Sequence, residues 1–443
     1  MLNRAFAVAA GVAVTIAAAR GASPEIGRPG INAIPCADQA WEEADATFAA
    51  LPGAQTSFGH YDGGVYRIEI PDAWNGELVL WAHGYASNRG PQGSRLRADI
   101  PGGSAFRQHL IDQHFAWAAS SYRCNGYVPG RGLLDTMALT DVFTKVNAGK
   151  APAHVYLAGG SMGGHITILG MQEFPTAFAG GLALCSSGPG EMDFLLSVGA
   201  ASELITAIKV RDATREADVR SLTAILGKPP DYTAKGRQLA SVQIEISGGA
   251  RPFALEGLAA RFIDNASTVA DSASTEIWSR VATNADVRYA IDDRLGLSAS
   301  AINSRVRRKS PDASLRSASG PYEEAIPFDG KIERPLLTLH GTGDLYVPIS
   351  LERGLKRAVD GAGRSSLLVQ RIIRSPGHCN FSPGELIAAF DDLVKWSRAG
   401  VKPEGDDVLG DLRNAGLKFT NPLRAGDPGN AGFHTVRTRS PGL

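Results

Sequence analysis

Net charge is absent from this chain of 443 residues: 45 lysines and arginines balance 45 aspartates and glutamates. The basic footprint that nucleic acid or an anionic membrane would require is missing, so neither is an expected partner. Cysteine is scarce. Cys36, Cys124, Cys185 and Cys379 lie too far apart for a zinc motif. Their even number fits two disulfides in any of three pairings, and buried free thiols fit equally well. Uninterrupted apolar sequence is also rare. The run from Ala5 to Ala19 carries no charge, follows a short segment with one cation, Arg4, and ends in small-residue cleavage sites at Ala19 or Ala22. It is shorter than an ordinary membrane span and reads as a signal peptide over residues 1–22. A periplasmic or secreted location follows, without stable membrane association after cleavage. A retained N-terminal anchor is the alternative.

What is present is an ordinary globular composition, 44% apolar and 20% charged, long enough for a large core. Residues 23–60 are mixed, with a helix expected from Gln39 to Leu51. Val65–Ile70 alternates as a half-buried strand does, and Leu78–Ala82 is a continuous apolar run typical of a strand buried on both faces. A helix over Ala105–His114, a strand over Phe115–Ala119, a helix over Gly132–Val146 and a strand from Val155 follow. Another strand, Phe178–Cys185, closes this part. Such alternation is the mark of a parallel, doubly wound α/β sheet.

From about Glu191 to Glu333 the alternation stops. Met192–Lys209, Ala217–Leu226 and Ser274–Val287 read as helices, with Ser241–Ile246 a possible strand. We expect residues 191–333 to form a mainly helical cap inserted between two parts of the core, 23–190 and 334–400. Its aromatics Phe194, Phe253, Phe262, Trp278 and Tyr289 are expected in the cap's own core. Strands resume at Pro335–Gly341 and Leu367–Ile373, with helices over Ser350–Asp360 and Gly384–Ala399. The glycine- and proline-rich residues 401–443 are expected to form an extended tail, partly packed and partly disordered.

One stretch carries chemistry. Val155–Ala158 runs into Gly159-Gly160-Ser161-Met162-Gly163 and then a helix-compatible segment. The glycines two before and two after Ser161 suit a turn that brings strand and helix backbones too close for side chains, with the serine strained and its hydroxyl exposed. A serine hydroxyl is a poor nucleophile until a base takes its proton, and that base needs a partner to fix its tautomer. Both are found at later strand ends: Asp344 in the loop after Pro335–Gly341, and His378 in the loop after Leu367–Ile373. An oxyanion would need two backbone donors. Met162, next to the nucleophile, and Tyr85, in the His83-Gly84-Tyr85 loop, are the candidates. The Tyr85 side chain is also a candidate substrate contact. His83 and His340 are read as structural, and His165 as a core or surface residue. The set needs no metal or organic cofactor.

The Ser161…Asp344…His378 order, the His83-Gly84 loop, and the Gly343-Asp344…Val347-Pro348 and Gly377-His378 contexts resemble the α/β-hydrolase superfamily. The resemblance covers residues 60–190 and 333–400, and omits the cap and tail. It implies a mostly parallel eight-stranded sheet flanked by helices, with the cap entering after Cys185. Exported bacterial esterases are similar, as is the catalytic domain of prolyl-oligopeptidase-like hydrolases, although no β-propeller is present. The expected activity is hydrolysis of a small or oligomeric carboxylic ester through an acyl-enzyme. Amide or peptide cleavage and acyl transfer use the same machinery. A silent binding protein would be expected to have lost one of the three residues. Haloalkane dehalogenation would call for aspartate in place of Ser161.

Overall fold

The computed structural model describes residues 36, 40–61, 64–88, 93–268, 280–317, 322, 325–425 and 427. Residues 1–22, read above as a signal peptide, the stretch 274–279 with Trp278 and the tail beyond 427 lie outside these.

Eight strands make one sheet: β1 (Ala54–Tyr61), β2 (Gly64–Pro71), β3 (Glu77–Ala82), β4 (Ala116–Ser120), β5 (His154–Gly160), β6 (Gly180–Leu184), β7 (Leu336–Gly341) and β8 (Leu368–Ile373). Their spatial order is β1-β2-β4-β3-β5-β6-β7-β8. Only the β1–β2 and β2–β4 pairs are antiparallel. From β4 onward every pair is parallel.

Parallel strands need crossovers, and helices supply them on both faces. Side chains alternate across the pleat. Leu78 and Leu80 of β3 join a core with residues of α2 (Pro129–Val146), α3 (Met162–Glu173) and α9 (Ser350–Gly361), including Leu133, Ile166 and Leu355. Val79 and Trp81 face the other way, toward α1 (Ser104–Asp112) and α10 (Pro383–Ala399). There the Phe390 ring meets Phe106, Phe115 and Tyr156 at centroid distances of 5.3, 5.3 and 6.0 Å. Truncating it to alanine would cost about 3–5 kcal/mol. This order and layering is the α/β-hydrolase fold.

Between β6 and β7 the chain forms α4 (Pro189–Thr206), α5 (Arg215–Leu226), α6 (Ala234–Ile246), α7 (Ala254–Ala266) and α8 (Ala299–Arg305). These elements share an apolar cluster of their own, in which Phe194, Phe262 and Tyr289 lie. Phe253 is buried as well. Ser241–Ile246 is the second half of α6, not a strand. Thr233 caps that helix, its Oγ1 accepting from the Gly236 N–H at 3.0 Å, and the alternation of Val242, Ile244 and Ile246 with polar residues imitates a strand over a stretch too short to settle the period. Of the helix expected over Ser274–Val287, only Arg280 and Val281 are helical among the described residues. It stops where Asn284 turns its amide to the Arg307 carbonyl at 2.9 Å and accepts the Lys309 N–H at 2.7 Å.

Residues 40–51 are not the helix expected there. Their backbone groups have partners elsewhere. The Leu51 N–H donates to the buried Glu69 carboxylate at 2.8 Å, and the Ala46 and Ala49 carbonyls accept from Arg67 and Arg107 at 3.1 and 2.7 Å. Beyond α10 the tail is packed over its described part. Val408, Leu412 and Ala415 bury against Ile349 and Ile372. Along β8 the tail supplies hydrogen bonds: the Asp406 N–H donates to the Gln370 carbonyl at 2.7 Å, and the Ile372 N–H donates to the Asp406 carboxylate at 2.8 Å. Arg374 and Asp427, both buried, pair at 2.8 Å.

Two disulfides settle the cysteines, Cys36–Cys124 and Cys185–Cys379. Among the described residues no helix is long and apolar enough to cross a membrane.

Candidate active site

The site assembles at the carboxyl ends of β3, β5, β6, β7 and β8, where parallel sheets of this kind leave a crevice. Ser161 follows β5 and precedes α3 with φ 58° and ψ −120°, a region that non-glycine residues rarely enter. Its N–H is anchored to the Leu184 carbonyl at 2.9 Å. The flanking glycines are sterically required. A Cβ on Gly159 would lie 2.5 Å from the Ala82 carbonyl oxygen, and one on Gly163 only 2.0 Å from it.

The structure brings Ser161, His378 and Asp344 together. His378 Nε2 lies 2.9 Å from Ser161 Oγ, and Nδ1 lies 2.6 Å from Asp344 Oδ2. With Nδ1–H donating to the carboxylate, Nε2 is free to accept the serine hydroxyl. Asp344 is fully buried, and its second oxygen accepts the Tyr346 and Val347 N–H groups at 3.0 and 2.9 Å. The His378 side chain keeps 25% of its surface, so the dyad it forms with Ser161 can be approached from solvent.

The loop after β3 passes over the nucleophile: a Cβ on Gly84 would sit 3.4 Å from the Ser161 Cβ. The N–H groups of Tyr85 and Met162 have no hydrogen-bond acceptor among the described residues. The Met162 group is spared because it opens a helix. Tyr85 itself is half exposed and lines a cleft of about 850 Å³ together with Gly84, Ser87, Arg95, Arg97 and Asn125.

The other histidines near the site are accounted for without chemistry. His83 stacks on Tyr122 at 3.9 Å with a ring nitrogen 2.6 Å from the Gly84 carbonyl, and burial lowers its pKa. His165 is fully buried with Nδ1 at 2.9 Å from the Tyr127 hydroxyl, and burial pulls its pKa down to about 3. His340 is buried, its Nε2 at 3.0 Å from the Val347 carbonyl.

Several residues around the triad were not singled out by sequence. The Tyr346 ring packs 5.1 Å from that of His378, and the Arg261 guanidinium sits 4.5 Å over Tyr346. Helix α7 presses on the acid loop: the Asn265 amide donates to the Leu345 carbonyl at 3.0 Å, and a Cβ on Gly257 would collide with the Gly343 carbonyl. Arg251 Nε donates to the Thr342 carbonyl at 2.6 Å. Glu191, in the first turn of α4, is 4% exposed, and its Oε2 has no partner among the described residues. Burial, then the nearby Asp344 charge, pushes its pKa up to about 8. The Arg251 and Asn265 bonds join positions 91 and 80 residues apart in sequence, so no local pattern announces them.

No protein-family model matches the chain. An o-phthalyl amidase of Xanthobacter agilis is 29% identical over 121 residues, 26% of this chain and 26% of the amidase. Among solved structures, an acylaminoacyl peptidase of Pyrococcus horikoshii aligns with 81% of this chain and 44% of its own, at 12% identity and TM-score 0.41. An esterase from Aspergillus oryzae aligns over 79% of this chain and 80% of its own, at 14% identity and TM-score 0.42. The chain thus spans about a quarter of the curated relative's length and under half of the peptidase's. At such values the side chains of the site, not the likenesses, carry the chemistry.

Proposed function

We propose that the protein is an exported serine hydrolase that cleaves a carboxylic ester through an acyl-enzyme. The observation that carries this reading is the continuous contact from Asp344 through His378 to Ser161, at 2.6 and 2.9 Å, with the serine held at positive φ. Ser161 Oγ attacks the ester carbonyl carbon while His378 Nε2 takes the hydroxyl proton. Asp344 remains ionised and stabilises the imidazolium. The Tyr85 and Met162 N–H groups hold the oxyanion. His378 then protonates the departing alcohol, leaving an acyl group on Ser161. Water, deprotonated by His378, attacks that acyl carbon and releases the acid. The Tyr85 side chain borders the substrate. Export fits the two disulfides, which persist in oxidising compartments.

The identity shared with an amidase favours one second reading, amide cleavage, in which His378 must protonate a poorer leaving group. Both are tested by assaying the protein against 4-nitrophenyl esters of graded acyl length beside matched anilides, with Ser161→Ala as control. Ester turnover that falls ~10⁴-fold or more in the variant supports the proposal. Anilide turnover of comparable efficiency replaces it with the amidase reading. Undiminished turnover by Ser161→Ala, or a fluorophosphonate that fails to label the wild-type serine, rejects the nucleophile.

A further inference from the structure

We infer that the Cys185–Cys379 disulfide is a positioning element for the base, holding His378 against Ser161. The inference rests on the serine-hydrolase reading and concerns what keeps its two reacting side chains in register.

Cys379 follows His378 directly, and its Sγ lies 3.5 Å from His378 Nε2, the atom that faces Ser161 Oγ. The other half, Cys185, follows Leu184, whose carbonyl anchors the Ser161 N–H. The bond therefore joins the strand end that holds the nucleophile's backbone to the residue beside the base. Gly160, the neighbour of Ser161, completes the arrangement: a Cβ there would lie 3.8 Å from Cys379 Sγ and 3.9 Å from Cys185 Sγ. The disulfide lies directly beneath the nucleophile turn.

Apart from the disulfide, the triad's own contacts and the Tyr346 ring, the loop is tied to other elements only on either side of His378 and Cys379. Among the described residues, the backbone between β8 and α10 is held by the Arg374 N–H donating to Thr420 Oγ1 at 2.8 Å, the Gly343 N–H donating to the Ser375 carbonyl at 2.8 Å, Arg424 donating to the Asn380 carbonyl at 3.3 Å and the Ser382 N–H donating to Glu385 at 2.7 Å. None of these touches His378 or Cys379, and the one backbone bond at Cys379 is local, its carbonyl accepting the Phe381 N–H at 3.1 Å. Both cysteines adopt left-handed backbone, φ 42° at Cys185 and 50° at Cys379, in which non-glycine residues persist only where surrounding structure fixes them. The two are 194 residues apart, and the whole helical insertion between β6 and β7 lies within the loop they close.

The test compares Cys185→Ala/Cys379→Ala with Cys36→Ala/Cys124→Ala, which opens the disulfide away from the triad. Fold is checked by circular dichroism and thermal melting, and kcat and KM are measured with 4-nitrophenyl acetate. The expected result is a fall in kcat of at least tenfold for the first variant, with KM within threefold and an equal fall in the rate of fluorophosphonate labelling. The second variant melts earlier but keeps kcat within threefold. A folded first variant with kcat within threefold of wild type overturns the inference. Should that variant fail to fold, wild-type protein is reduced with a phosphine in the presence of EDTA, which keeps metal from the freed thiols. Activity that falls as the Cys185 and Cys379 thiols appear, and returns on reoxidation, supports it; full activity with both thiols titratable refutes it. Wild type that neither turns over ester nor labels would remove the serine-hydrolase reading, and the positioning role with it.

Discussion

Replacing Asp344 by asparagine should disable the site through a tautomer, and the structure fixes which one. In the native side chain Oδ1 receives two backbone N–H groups, from Tyr346 and Val347, and Oδ2 receives His378 Nδ1–H. In Asp344→Asn the atom facing the two N–H groups must remain oxygen. An amide nitrogen there would leave two buried donors unpaired, at about 1–3 kcal/mol each. The NH2 is therefore turned to His378 Nδ1, which must accept. The ring proton then resides on Nε2, pointing at Ser161 Oγ, and no lone pair is left to take the hydroxyl proton. The expected loss is about 10⁴-fold in kcat, on the order of 5 kcal/mol, with KM little changed. The side-chain volume hardly alters, so melting should stay within a few degrees. The assay is steady-state ester hydrolysis at neutral pH together with the second-order rate of fluorophosphonate labelling. Combining Asp344→Asn with Ser161→Ala should cost no more than Ser161→Ala alone, because the residues act as a unit. An Asp344→Asn protein within tenfold of wild type would refute the tautomer argument.

Two further expectations concern pH. His165, held neutral by burial with its pKa at about 3, binds a proton more readily in the unfolded chain. Stability should fall as pH drops below 6.5, by about 1.4 kcal/mol per unit. His165→Phe should flatten that slope in urea unfolding between pH 7 and 5; an unchanged slope would show that His165 charges freely in the folded state. Glu191 has the opposite sign. Its folded pKa of about 8 lies above the ordinary 4.5, so the folded state holds the extra proton and stability declines as pH rises through that window. Glu191→Gln cannot titrate, so its stability advantage over wild type should grow from pH 5 to pH 8, and an advantage that is constant with pH would contradict the burial argument.

The parts legible in the sequence were those with a local signature. Leu78–Ala82 is an apolar run and Leu336–Gly341 and Leu368–Ile373 are mostly apolar runs, interrupted by Thr338 and His340 and by Gln370 and Arg371, and all three proved to be buried parallel strands. Ser161, Asp344 and His378 each sit just past such a run, and their meeting follows from the parallel topology. The strand Ala54–Tyr61 was missed because it lies at a sheet edge with only partly buried side chains, and its residues Gln-Thr-Ser and Gly-His give little apolar alternation. The helix expected at Gln39–Leu51 had acceptable composition, yet Glu69, Arg67 and Arg107 outcompeted helical hydrogen bonds for its backbone. Disulfide pairing was open because Cys185 and Cys379 are adjacent only after the sheet has formed. Glu191 and Arg261 carry no motif at all; the approach of Glu191 to Asp344 and of Arg261 to Tyr346 depends on how the insertion's helices lie.

The tail along β8 bears on how the sheet's edge is kept from other strands. A sheet that ends in β8 offers unpaired backbone groups to any passing strand, and such edges recruit neighbours unless covered. Asp406 takes up that role, its N–H donating to the Gln370 carbonyl and its carboxylate receiving the Ile372 N–H, so nothing at those positions is left to template a second chain. A protein shortened at Gly400 would keep Ser161, His378 and Asp344 in its sequence. Its weakness would be colloidal: an uncovered edge, a newly exposed apolar strip at Ile349 and Ile372, and Arg374 deprived of Asp427. Such a chain would be lost to precipitation before its chemistry could be measured.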